Sequence, residues 1–212
     1  MKTALLTIDI QAYWHPGTGR GSGFHLDAIT HTGADGLPRL PGRTLKGLLR
    51  DAVHRAELWG WPRVPAGTTV ALFGSRTNPG RVATADPPVT PQPRRDENLS
   101  TPGLLRVSDA TLPAEVATYL ASEDGKKLVP GLYREHFSTA IDAATGVAQG
   151  RSLRGMQVVV PLMLEARIDE VSGIASVPDW RALLETVFAL IPAVGAHRTR
   201  GFGRAHLCWK KD

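Results

Sequence analysis

The stretch that most constrains this chain is Pro38-Arg-Leu-Pro-Gly-Arg-Thr-Leu-Lys-Gly-Leu-Leu-Arg-Asp-Ala-Val-His-Arg-Ala56. Pro41 and Gly42 end whatever precedes them. Thr44 can cap a helix, because its hydroxyl can accept a bond from a first-turn N–H that lacks a helical partner. From there Leu45, Leu48, Leu49, Ala52, Val53 and Ala56 recur at helical spacing and form one apolar stripe. At about 100° per residue, Arg43, Lys46, Arg50 and His54 fall on the opposite side. The spacing predicts a helix with an apolar back and a basic front, entered from a Pro-Gly turn. Free N–H groups and the macrodipole make such an N-terminus a ready site for an anion. An ordinary amphipathic helix with a solvated basic face fits the same spacing.

The chain is long enough to bury that stripe. At 212 residues and 42% hydrophobic content, one domain of mixed α and β spanning 1–212 is expected. Its net charge of +5 suits a polyanionic partner. Cys208 is the single cysteine, so an intrachain disulfide and a cysteine-pair zinc site are both excluded. This usage fits a reducing cytoplasm. Asp9 comes too early for a signal peptide, and no apolar run is long enough to cross a membrane.

Leu6, Ile8, Ile10 and Ala12 alternate with polar residues and predict a half-buried first strand. Residues 17–23 hold four glycines and must form a loop. That loop lacks the Lys-Ser/Thr of a nucleotide-binding P-loop. Val70 to Ser75 is a short apolar run ending in a turn. Residues 76–103 hold six prolines and four arginines without apolar periodicity, so a long mobile surface loop is expected there. Leu104 to Ala110 predicts a strand, and Asp142 to Gly146 a hairpin tip. Val160 to Ile168 predicts another strand. Asp179 opens a second helix with Trp180, Leu183, Leu184, Val187, Phe188 and Ile191 as its stripe, and Ala205 to Trp209 is a last strand. The order strand, helix, strand, strand, helix, strand matches an α+β, ferredoxin-like (RRM-like) core with long insertions.

Residues 195–204 combine glycine with cations. His197, Arg198, Arg200 and Arg204 fall within eight residues, beside Gly201 and Gly203. Arginine bonds phosphate in a bidentate fashion, and an open backbone adds N–H donors. A sheet flanked by such loops suits single-stranded RNA, although a helix–strand turn with solvated arginines has the same composition. A second basic pair is Arg151 and Arg154. The scattered histidines offer no helical metal pair. His25, Asp27 and His31 lie closer together, and Asp27 is the candidate for moving a proton or positioning magnesium on bound RNA. Asp27 as a plain loop-solvating residue stays open on the same evidence. There is no serine nucleophile elbow, and Cys208 falls in a predicted strand.

Five segments in order resemble one family. Leu40-Pro-Gly-Arg-Thr-Leu-Lys-Gly-Leu-Leu-Arg50 resembles the Pro-Gly-Ser-Ser-Leu-Lys-Gly helix start of the RAMP superfamily of CRISPR-associated proteins. Leu72-Phe-Gly-Ser75, Arg106-Val-Ser-Asp-Ala110, Thr139-Ala-Ile-Asp-Ala-Ala-Thr-Gly146 and Arg198-Thr-Arg-Gly-Phe-Gly-Arg204 resemble its later motifs. The family's arginine after Ile-Asp is Ala143 here. Within the superfamily the likeness is to the repeated backbone subunit of type III effector complexes, which carries an aspartate ahead of its Pro-Gly, as Asp27 stands here.

The resemblance implies copies of the chain polymerising along a CRISPR RNA with other effector subunits. A thumb-like hairpin, roughly 132–154, would part guide from target RNA. Asp27 would cut the target at regular intervals, with Mg2+ or another divalent cation bound with the RNA rather than in a dedicated protein site. His25, Arg43, Lys46, Arg50, Arg151, Arg154, His197, Arg198, Arg200, Gly201, Gly203 and Arg204 would hold RNA. A non-catalytic structural subunit is the first alternative. A stand-alone CRISPR-RNA processing endoribonuclease using His25 or His31 as base is the second.

Overall fold

The computed structural model describes residues 2–23, 25–75, 100–174 and 177–211. Most of the 76–103 stretch expected to be a mobile loop lies outside these residues. The chain is a mixed helix and strand protein built on two antiparallel sheets. The first strand, β1 (Thr3–Ile10), turns Leu6, Ile8 and Ile10 inward, as their alternation requires. The basic helix α1 (Gly42–Leu58) follows the glycine-rich loop, and a short helix α2 (Thr68–Phe73) packs beside it. The apolar run at Val70 is therefore helical, with Leu72 and Phe73 buried. Next come β2 (Leu105–Val107), α3 (Ala114–Ala121) and α4 (Glu123–Lys126). A hairpin of β3 (Tyr133–Ser138) and β4 (Arg154–Val159) forms the second sheet. β5 (Leu162–Glu170), α5 (Trp180–Val187) and β6 (Ala205–Trp209) complete the chain.

The main sheet runs β2-β5-β1-β6, each neighbour antiparallel. α1 and α5 lie together on it. The core is their shared apolar filling: Leu45, Leu49, Ala52 and Val53 from α1, and Trp180, Leu184 and Val187 from α5. They meet Leu6, Ile8, Leu164, Ala166 and Ile168 from the sheet. Burial on this scale follows from the two helical stripes and is worth about 25 cal/mol per Å2 of apolar surface.

Thr44 does not cap α1. The helix begins at Gly42, so Thr44 already sits within the first turn, and its side chain makes no capping bond. The Gly42 N–H instead donates to the carboxylate of Asp109, at 2.7 Å. The anion expected at this helix N-terminus is thus supplied from within the chain. Leu40 and Ala110 exchange two backbone bonds beside it, at 3.0 and 2.9 Å. A Cβ at position 42 would stand 2.5 Å from the Val107 carbonyl oxygen, so glycine is required for the helix to start this close to β2. The Pro-Gly and Val-Ser-Asp-Ala segments are two halves of one contact.

Candidate nucleic-acid interface

The glycine-rich loop contains no regular element, yet its second half is held firmly. Asp27 N–H donates to the Gly155 carbonyl, and Gly155 N–H donates back to Asp27 Oδ2, both at 2.8 Å. Gln157 N–H donates to Ala28 O at 2.9 Å, and the Gln157 side-chain oxygen accepts from both the N–H and the hydroxyl of Thr30. Leu26 is buried beneath. Residues 26–30 therefore run along β4 as an added strip, and Asp27 is fixed beside Gly155, near the end of the ladder where the 139–153 connection leaves it.

The C-terminal turn is braced from the other side. Gly203 N–H donates to Tyr13 O and Ala196 N–H to His15 O, both at 2.8 Å. A Cβ at position 203 would sit 1.9 Å from Val194 O, and its φ is +69°, so only glycine fits. His15 is buried, with Nδ1 donating to Gln157 O at 2.7 Å. Burial holds its pKa below the ordinary value, against the Gln157 bond, and the charge of nearby His197 adds to the lowering.

These supports shape a groove of about 410 Å3. The loop contributes Asp27 and Ala28, β3 contributes His136 and Ser138, and β4 contributes Arg154, Gly155 and Met156. His197, Arg200 and Phe202 come from the C-terminal turn. His136 pairs across the hairpin with Met156, and Ser138 with Arg154, so one face of the hairpin forms one wall. Phe202 packs edge-on against His136 at 5.1 Å and against His197 at 6.3 Å. The opposite hairpin face carries Glu135, which bonds His25 Nε2 at 2.8 Å, and Phe137. One carboxylate, two guanidinium groups, two imidazoles and one phenyl ring thus share a space that suits a phosphate with a nucleotide beside it.

A sequence model of the RAMP superfamily matches residues 7–206. The chain belongs to the RAMP superfamily. This RAMP protein shares its fold with a chain of the type III-B Cmr-beta bound to cognate target RNA, solved by cryo-electron microscopy. The TM-score is 0.64 at 10% identity, covering 99% of this chain and 97% of that one. A chain from the apo state of Cmr-beta gives 0.60 at 11% identity, covering 99% and 98%. No curated protein sequence matches the RAMP chain.

The expected site residues of this RAMP protein divide into four groups. Asp27, Arg154, His197 and Arg200 line the groove. Gly201 and Gly203 shape the turn that carries two of them, with Arg198 and Arg204 exposed on it. Arg151 is exposed in the hairpin connection, and His25 is engaged by Glu135. The basic face of α1 is not brought into the groove. Arg43 and Lys46 line a separate cleft with Arg106, and Arg50 lies in another beside His54, Asp51 and Glu57. Lys46 Nζ donates to Leu105 O at 2.9 Å, and burial lowers its pKa, with Arg50 adding to the effect.

Sequence reasoning missed His136, Ser138, Met156 and Phe202. The alternation of His136 and Ser138 was present, but residues 129–142 gave no clear period until the β3–β4 pairing exposed it. A divalent cation held by protein groups alone is poorly matched by this donor set. Asp27 is the one carboxylate lining the groove, its Oδ2 is taken by Gly155, and Arg154 and Arg200 line the same space. Among the described residues no three His, Cys, Asp or Glu side chains are placed to hold a metal. Hard cations need several oxygen ligands.

Proposed function

We propose that this RAMP protein is a guide-RNA-binding backbone subunit of a type III-like CRISPR effector complex, and that its groove cuts target RNA paired to the guide. The observation that carries this reading is the convergence of Asp27, the hairpin and the glycine-arginine turn on one nucleotide-sized groove within a RAMP fold. The strand order β2-β5-β1-β6, with one helix after β1 and one after β5, supports a ferredoxin-like core. The β3–β4 hairpin is then the insertion that parts guide from target. It stands directly against Asp27, so a nucleotide displaced by the hairpin would enter the groove. Copies of the chain would line the guide, with other effector subunits completing the assembly. Arg154 and Arg200 would meet the scissile phosphate, while Arg43 and Arg106 in the separate cleft would follow the guide backbone, leaving sequence to base pairing.

A structural role for Asp27 has its own support, because its carboxylate already ties the loop to Gly155. Asp27→Asn separates the two readings. The amide oxygen still accepts the Gly155 N–H, but the charge and the proton-accepting oxygen are gone. In the assembled complex with guide-complementary RNA, we expect Asp27→Asn to bind target and lose cleavage by on the order of 100-fold or more. Cleavage at the wild-type rate would leave Asp27 as a clamp alone. Wild-type complex that binds target and leaves it whole would make the chain a non-cleaving RNA scaffold.

A further inference from the structure

The loop, the hairpin and the C-terminal turn all line the groove, and one residue of β4 ties the three together. We infer that Gln157 is the positioning residue of this groove, its side-chain amide locking the strip that carries Asp27 where its main chain is already joined to the support of the C-terminal turn. The inference rests on the groove being the cleavage site proposed above.

One edge of β4 pairs with β3, and two different segments share the other. Gly155 exchanges bonds with Asp27, and Val159 exchanges bonds with Trp14, at 3.1 and 2.8 Å. Gln157 stands between them. Its N–H donates to Ala28 O at 2.9 Å, and its carbonyl accepts from the buried His15 Nδ1 at 2.7 Å. The carbonyl of His15 in turn accepts the Ala196 N–H of the C-terminal turn. Chain direction changes at this point, since Ala28 bridges Met156 in parallel and Trp14 bridges Val159 antiparallel. No continuous ladder spans such a junction, so register there depends on side chains.

The Gln157 amide supplies the missing hold. Thr30 is 4% exposed, and its N–H and hydroxyl both donate to Gln157 Oε1, at 3.1 and 2.7 Å. A backbone N–H can only donate, so the oxygen end of the amide must face Thr30. Neither Thr30 group has a second acceptor among the described residues. Removing Oε1 strands two buried donors. The strip is then held by main-chain bonds and Asp27 alone, and the Ala28 N–H to Gly155 O contact is long, at 3.4 Å. Asp27 is three residues from Thr30 in that strip, so a slip moves its carboxylate relative to Arg154 and Arg200. Gln157 itself does not line the groove. Displacement of about 1 Å costs on the order of 100-fold in rate, with no group that touches RNA removed. The same pattern recurs on α1, where the Glu57 carboxylate accepts from the N–H and the hydroxyl of Thr69. A carboxylate oxygen therefore serves such a threonine as an amide oxygen does.

The test uses the assembled complex with labelled, guide-paired RNA at saturating target under single-turnover conditions. We expect Gln157→Leu to bind target with wild-type affinity and to cut about 100-fold more slowly. Gln157→Glu keeps an acceptor for both Thr30 groups and should recover most of the rate. Thr30→Val loses only the hydroxyl bond, so its rate should fall between, and added to Gln157→Leu it should slow cleavage no further. By hydrogen exchange, the Asp27 and Thr30 amides of Gln157→Leu should lose protection, while the Ala196 amide and the β1–β5 ladder keep theirs. Wild-type cleavage in Gln157→Leu, no recovery in Gln157→Glu, or a fall in rate matched by equal losses of target affinity and melting temperature would overturn the positioning role and leave the cleavage reading intact. A wild-type complex that binds target and never cuts it would overturn both.

Discussion

Asp27 has two carboxylate oxygens, and the fold ties down one of them. Oδ2 accepts from Gly155, which orients the side chain and leaves Oδ1 without a hydrogen-bond partner among the described residues. A loop residue becomes a fixed residue in this way, and pre-positioning matters more to such chemistry than residue type alone. His15 plays a different part at the same scale. It is 4% exposed and links Gln157 of β4 to the C-terminal turn. Its folded pKa lies below the ordinary 6.5, so between those two values the unfolded chain binds more protons. Stability is then complete above about 6.5 and falls as the pH drops toward the folded value. We predict a lower urea midpoint at pH 5.5 than at pH 7.5, with the difference reduced in His15→Asn, whose amide can still donate to Gln157 O. An unchanged difference in the variant would assign the acid sensitivity to other groups.

At the scale of elements, the start of α1 shows how a sequence motif can be packing rather than chemistry. The helix enters against β2 without a capping side chain of its own, and Asp109 from the loop after β2 supplies the acceptor. Removing that acceptor leaves a Gly42 N–H in a partly buried place with no partner. We predict that Asp109→Ala lowers unfolding free energy by about 1 kcal/mol, read from denaturant melts, while Asp109→Asn recovers most of it. A fully neutral Asp109→Ala would mean that water replaces the carboxylate. The Thr-Ala-Ile-Asp-Ala-Ala-Thr-Gly segment behaves likewise. Asp142 accepts from the Ala144 and Thr145 N–H groups and the Thr145 hydroxyl, so its pKa is lowered and the turn is closed. The exposed Asp142 carboxylate thus shapes the turn within the connection, while the strands of the hairpin are held by their own ladder.

Across the whole molecule, a net charge of +5 is spread over more than one surface. The groove holds Arg154 and Arg200, whereas Arg43 and Arg106 border a second cleft. RNA affinity of the assembled protein should fall with salt, by a slope near 0.7 per neutralised phosphate on single strands. We predict that Arg200→Ala and Arg43→Ala each flatten that slope by about 0.7. Lys46→Ala should act mainly on stability, since its ammonium is already bonded to the Leu105 carbonyl. Equal slopes for wild type and Arg43→Ala would remove the second cleft from the RNA path.

By itself the sequence determined the elements that depend on local periodicity. The apolar stripes of α1 and α5 and the alternation in β1 and β5 appear in the chain order and bury the faces they specified. It also determined the family, through short segments whose order survives even where single residues differ. What only the tertiary structure decided is which distant residues share a space. Asp27 and Gly155 are far apart in sequence, and no local pattern says that they exchange two hydrogen bonds. His136 meets Phe202 only because the hairpin folds back beside the C-terminal turn. The same long-range packing withheld the basic face of α1 from the groove and gave its N-terminus to Asp109. Periodicity is a property of neighbours along the chain, whereas a site is a property of neighbours across it.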